Sequence, residues 1–129
     1  MPRILYVTRD ISDPYINAIR GQGIDVDVAV RYETAIDKLT NGNPDLVFVE
    51  STKVASHESA EAPYKRNTQA GMRIVEMANE MGIPSLVNTG GSKDDVLELM
   101  DRGATIVMRK PSGLDLHLMV IMNCLPEAA

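Results

Sequence analysis

The run Asp45-Leu46-Val47-Phe48-Val49-Glu50-Ser51 constrains the fold more than any other part of the chain. Its apolar residues, introduced by Asn43-Pro44 and closed by an acid, predict a strand buried on both faces, because a one-sided strand alternates apolar with polar. In open parallel sheets ligands bind in the crevice at the carboxyl ends of the strands, so Glu50 stands where such a fold does its chemistry.

The segments on either side supply the rest of a layered sheet. Ile4-Leu5-Tyr6-Val7 is a short first strand that ends in Thr8-Arg9-Asp10. Ser12-Asp13-Pro14 offers a capping residue followed by Pro at the first helical position. Tyr15, Ile16 and Ile19 then follow at helical spacing until Gly21 and Gly23. Ile24 to Val30 alternates at its start, which suits an edge or half-exposed second strand. A second helix with Ala35, Ile36 and Leu39 on one side stops at Asn41-Gly42. From Ser51 to about Asn67 no period is sustained, which predicts a long loop.

A third helix begins at Asn67 or Thr68 and puts Ile74, Val75, Ala78 and Met81 on one face, ending at Gly82. Pro84–Thr89 is a fourth strand, followed by a helix with Val96, Leu97 and Met100 inward and Gly103 at its end. Thr105–Met108 is a fifth strand, and a last helix runs from Leu114 to about Leu125, stopped by Pro126. Strand and helix alternate five times, the signature of an α/β parallel sheet with helices on both faces and right-handed crossovers. With 129 residues, 44% hydrophobic and 24% charged, the chain reads as one domain over residues 1–129, with neither a second domain nor an internal repeat.

Composition excludes several function classes. The single Cys124 rules out an internal disulfide framework, and no cationic start followed by an apolar run marks a signal peptide, so a cytoplasmic location is expected. The strongest apolar run, Leu118–Ile121, is too short to cross a bilayer. A net charge of −5, no Trp and a single Phe argue against nucleic-acid binding, which needs a basic face or a stacking platform.

Taken in order, Pro44-Asp45-Leu46-Val47-Phe48-Val49-Glu50, Gly82-Ile83-Pro84-Ser85-Leu86-Val87-Asn88-Thr89-Gly90, Gly103-Ala104 and Lys110-Pro111 resemble a response-regulator receiver domain of the flavodoxin-like CheY family over nearly the whole chain. The resemblance implies a five-stranded parallel sheet of order 2-1-3-4-5. It also implies a phosphoacceptor Asp at the end of the third strand, an acid pair holding Mg²⁺ after the first, Thr or Ser after the fourth and Lys after the fifth. Thr89 and Lys110 match. Glu50 stands at the acceptor position, and Thr8 and Arg9 occupy the places of the acid pair, with only Asp10 nearby.

These departures change the expected chemistry. Mg²⁺ takes octahedral oxygen ligands that include carboxylates, and Arg9 puts a fixed cation where the metal would sit. The extra methylene of Glu moves the carboxylate by about 1.5 Å, a displacement that can cost roughly a hundredfold in rate. The expectation is therefore a pseudo-receiver, a non-enzymatic signalling module that uses no cofactor and in which Arg9, with Lys110, neutralises Glu50. Val107 stands where the family carries an aromatic residue that swings inward on activation, so the usual Thr-to-aromatic switch lacks its moving part. Two alternatives stand beside it. One is a working phosphoacceptor in which Asp10 and Glu50 bind Mg²⁺. The other is a small-ligand or nucleotide-binding domain that uses the Thr89–Ser92 turn as an anion cradle.

Other features have plainer explanations. Gly90 and Gly91 shape a βα turn, with Ser92 capping the next helix and Asp95 as its capping-box partner. His57, Glu58 and Glu61 show no metal-ligand spacing, His117 is expected at the surface or an interface, and Cys124 packs as a small hydrophobe. The last helix leaves little polar face. Leu118, Met119, Ile121, Met122 and Leu125 are the expected contact surface for a signalling partner and for a homodimer, the use the resemblance implies for the fourth-helix, fifth-strand, fifth-helix surface. The loop at 52–66 is a second candidate contact surface.

Overall fold

A computed structural model describes residues 2–9, 13–50 and 68–125 of the chain. Among the described residues ten elements alternate: β1 (Arg3–Val7), α1 (Pro14–Arg20), β2 (Asp25–Ala29), α2 (Tyr32–Asn41), β3 (Leu46–Val49), α3 (Thr68–Glu80), β4 (Ser85–Thr89), α4 (Lys93–Asp101), β5 (Ile106–Arg109) and α5 (Leu114–Cys124). The strands form one parallel sheet in the order β2-β1-β3-β4-β5, the flavodoxin-like arrangement of CheY. β3 sits at the centre and all four of its residues are buried, as a strand with helices over both faces requires. The alternating β2 lies at an edge. The long loop expected from Ser51 to Asn67, with His57, Glu58 and Glu61, lies outside the described residues.

Strand side chains point alternately to the two faces, and that parity splits the core in two. Leu5, Val7, Val47, Val49 and Val87 pack under α2, α3 and Leu99 of α4. Ile4, Tyr6, Leu46, Phe48, Leu86 and Met108 pack on the opposite face against Ile16 and Ile19 of α1 and Val120 and Ile121 of α5. Tyr6 and Phe48, in register on β1 and β3, stack with ring centroids 5.2 Å apart.

The helix starts follow the sequence signals. Asp13 caps α1, its carboxylate accepting from the Tyr15 amide, with Pro14 in the first turn. Ser92 and Asp95 form a reciprocal capping box on α4. Gly103, which follows α4, has φ +104°, and an added Cβ would come within 2.5 Å of the Asn79 side chain, so both conformation and space require glycine.

Two helix faces differ from expectation. On α4 the inward residue is Leu99, while Leu97 and Met100 are exposed. Leu99 turns to the sheet, and the helix period leaves Leu97 and Met100 on the outward side of this nine-residue helix. Met81, expected inward, follows the last residue of α3 and is exposed in the turn.

Candidate functional site

The site lies at the carboxyl end of the sheet. The Glu50 amide donates to the Val7 carbonyl at 2.8 Å, so β1–β3 pairing extends one residue beyond the strand and holds Glu50 in the pleat. Parity then places its side chain on the same face as Leu46 and Phe48, above α1 and α5. Asn88, two residues after Leu86, and Lys110, two after Met108, share that face. Glu50, Asn88, Lys110, Ser112, Asp13 and Tyr15, with Pro14 and Pro111, line one open cavity of about 400 Å³.

Glu50 is the electrostatic centre. Its side chain is 16% exposed, Lys110 Nζ approaches one carboxylate oxygen at 3.5 Å, and Asn88 Nδ2 donates to both oxygens at 3.3 and 3.4 Å. Burial raises the carboxyl above its ordinary range, and Lys110 and the Asn88 amide offset part of that rise. Beside it, the Tyr6 hydroxyl donates to Asp13 at 2.9 Å, and its own pKa is raised by burial and then by the charges of Glu50 and Asp13. The Thr8 hydroxyl donates to the same Asp13 oxygen at 3.4 Å.

Of the site residues expected from sequence, Glu50 and Lys110 meet directly, and the buried Thr8 bonds to Asp13, which lines the same cavity. Arg9, expected to pair with Glu50, is exposed, and among the described residues no ion pair joins the two. Arg9 lies in a bend two residues beyond the end of β1, with its side chain exposed. Asp10 lies outside the described residues. Thr89 is buried on the other face, and its hydroxyl accepts from the Gly91 amide at 3.0 Å.

That bond occupies one of the amides an anion would use in the Thr89–Ser92 turn. The Ser92 amide is taken by Asp95, and the Asp95 amide by Ser92. Capping therefore accounts for the turn.

Sequence reading left out several residues of the site, among them Tyr6, Asp13, Tyr15, Asn88, Ser112 and His117. Asn88 could have been found by counting in twos from Leu86, but Asp13 was accounted for by its cap. His117 is fully buried rather than at a surface. Its ring meets Tyr15 edge-on at 4.8 Å and Phe48 at 5.2 Å, and its Nε2 lies 2.7 Å from Ser112 Oγ. Burial lowers its pKa, and so does Lys110, while Asp13 opposes the shift.

The donor set among the described residues, which do not include Asp10, does not fit Mg²⁺. Asp13 already accepts from Tyr6, Thr8 and the Tyr15 amide, Glu50 faces an ammonium, and among the described residues no three His, Cys, Asp or Glu side chains are grouped to hold a metal.

The expected contact surface on α5 divides. Met119 and Met122 are 55% and 53% exposed, and Leu116 is exposed beside them. Ile121 is fully buried in the core, and Leu118 and Leu125 pack against the same cluster, so these three stabilise the fold instead of facing outward. The helix period explains the division: Val120 and Ile121 turn to the sheet, and Met119 and Met122 away from it. No helix among the described residues is long and apolar enough to cross a membrane.

No family model matches the sequence, and no curated protein matches it either. Solved structures do. A CheY-like response regulator receiver domain protein from Methanospirillum hungatei superposes with TM-score 0.77 at 22% identity, over 95% of this chain and 92% of that one. The non-phosphorylated HemR receiver domain of Leptospira biflexa gives 0.75 at 21% identity, over 100% and 98%. A two-component response regulator from Clostridium difficile gives 0.73 at 18%, over 96% and 95%. The fold is that of response-regulator receiver domains.

Proposed function

We propose that this chain, which carries the receiver fold, is a pseudo-receiver: a cytoplasmic, non-enzymatic signalling module that binds protein partners and is not phosphorylated by the Mg²⁺-dependent route. The observation that carries the reading is the environment of Glu50. The carboxylate at the acceptor position is held by Lys110 and Asn88. The positions of the acid pair hold a buried threonine and an exposed arginine. A buried carboxylate already paired with an ammonium needs no divalent ion to neutralise it.

The partner surface is the outward side of the α4–β5–α5 region. Leu97 and Met100 of α4 and Met119 and Met122 of α5 are exposed, and the helices that carry them neighbour the edge strand β5. Methionine suits such a surface because its unbranched, polarisable side chain adapts to different partners. A second copy of the chain is one such partner.

Incubation with acetyl phosphate and Mg²⁺ followed by intact-mass measurement tests the reading. Unchanged mass is expected; a phosphate-sized gain that disappears in Glu50→Gln would overturn it in favour of a working phosphoacceptor.

A further inference from the structure

The bonds between Glu50 and α5 have a direction. Asn88 Nδ2 donates to the Glu50 carboxylate, which leaves Asn88 Oδ1 to accept, and it accepts from Ser112 Oγ at 2.9 Å. A serine hydroxyl carries one proton. With that proton committed to Asn88, Ser112 Oγ can only accept from His117 Nε2, 2.7 Å away. His117 is therefore the Nε2–H tautomer with a bare Nδ1. That Nδ1 is buried and has no hydrogen-bond partner among the described residues, a position that tolerates a lone pair better than an orphaned N–H.

We infer that the charge on Glu50 is communicated to α5 through a one-way hydrogen-bond chain, His117 to Ser112 to Asn88 to Glu50. Every donor points toward the carboxylate, so each bond polarises the next, and the chain is strongest when its terminal acceptor is ionised. It runs on the α1/α5 face, apart from Thr89 and Val107, the positions of the usual receiver switch. The side chains around it are Tyr6 from β1, Asp13 at the cap of α1, Tyr15 from α1, Phe48 from β3 and Lys110 after β5. The inference rests on the proposed function in one respect: α5 carries the exposed Met119 and Met122 on its other side, so a change at Glu50 reaches the proposed partner surface.

Ring-nitrogen NMR of uniformly ¹⁵N-labelled protein tests it in dilute solution, with His57→Gln removing the only other histidine. At neutral pH the expected spectrum is that of a neutral Nε2–H imidazole. Glu50→Gln keeps the Asn88 bond but removes the charge. It should shift the Nε2 proton resonance and lower the titration midpoint of His117 by a few tenths of a pH unit, the scale on which a unit charge acts across three hydrogen bonds. Ser112→Ala should abolish the tautomer preference and the response to Glu50→Gln, and Ser112→Thr, which keeps the hydroxyl, should restore both. An Nδ1–H tautomer in the parent protein, or a His117 signal indifferent to Glu50→Gln, would overturn the inference. Because the readout is taken on monomer without phosphodonor, it stands or falls apart from the pseudo-receiver assignment, which the mass measurement decides.

Discussion

Two cations flank Glu50 in sequence terms, Arg9 and Lys110, and Lys110 is the one that meets it. Lys110 shares the face of Glu50, whereas Arg9 stands in solvent, so Arg9→Ala should change stability by less than about 0.5 kcal/mol. Lys110→Met should cost about 1 kcal/mol and raise the titration midpoint of Glu50, because it strips a buried carboxylate of its counter-charge; chemical denaturation with carboxyl ¹³C NMR would measure both. The pH dependence follows from two opposed shifts. Glu50 titrates above its ordinary 4.5, so its contribution to stability is complete below 4.5 and lost as pH rises through its folded value. His117 titrates below its ordinary 6.5, so its contribution is complete above 6.5 and lost as pH falls through its folded value. In acid each masks the other. Glu50→Gln removes the first and moves the second only slightly, so the unfolding free energy should fall more steeply between pH 6.5 and 4.5 than in the parent, by at most about 1.4 kcal/mol per pH unit for one proton, as denaturant titration at each pH would measure. The acid at the exit of β3 was legible from a single run of apolar residues. Its partners were not, since Asn88 and Ser112 become neighbours only once register and parity are fixed.

At the scale of elements, the starts of α1 and α4 could be read from Asp13-Pro14 and Ser92-x-x-Asp95, because capping chemistry is local. The inward faces of α4 and α5 could not be read as reliably. Both helices are apolar on more than one side, and period alone does not say which side meets the sheet. α5 carries the sharpest test of that division. Ile121→Ala should cost 2–5 kcal/mol, the usual range for emptying a buried aliphatic site, with no direct effect on association. Met119→Glu combined with Met122→Glu should leave the unfolding free energy of the monomer within about 0.5 kcal/mol and abolish self-association in sedimentation velocity. The reverse pattern would mean that α5 packs in another rotation.

For the molecule as a whole, alternation of five strands with five helices was enough to define the architecture, because only a parallel sheet covered on both faces buries so apolar a third strand. Strand order was a different matter: it came from likeness to receiver domains, since periodicity carries no information about which strands are neighbours. If copies of the chain associate through α5, dimer formation is linked to folding, and the melting temperature should rise with protein concentration across the micromolar range. A melting temperature independent of concentration would count against the homodimer while leaving the fold untouched. The two-sided core has a bearing on how such a protein can change. The described strand and helix residues that wall the crevice all belong to the α1/α5 layer or to the loops above it, so the layer under α2 and α3 carries no part of that wall. A library randomised at the odd-numbered strand positions Leu5, Val47, Val49 and Val87 could therefore explore new packing and new thermal tolerance while the chemistry around Glu50 is inherited intact.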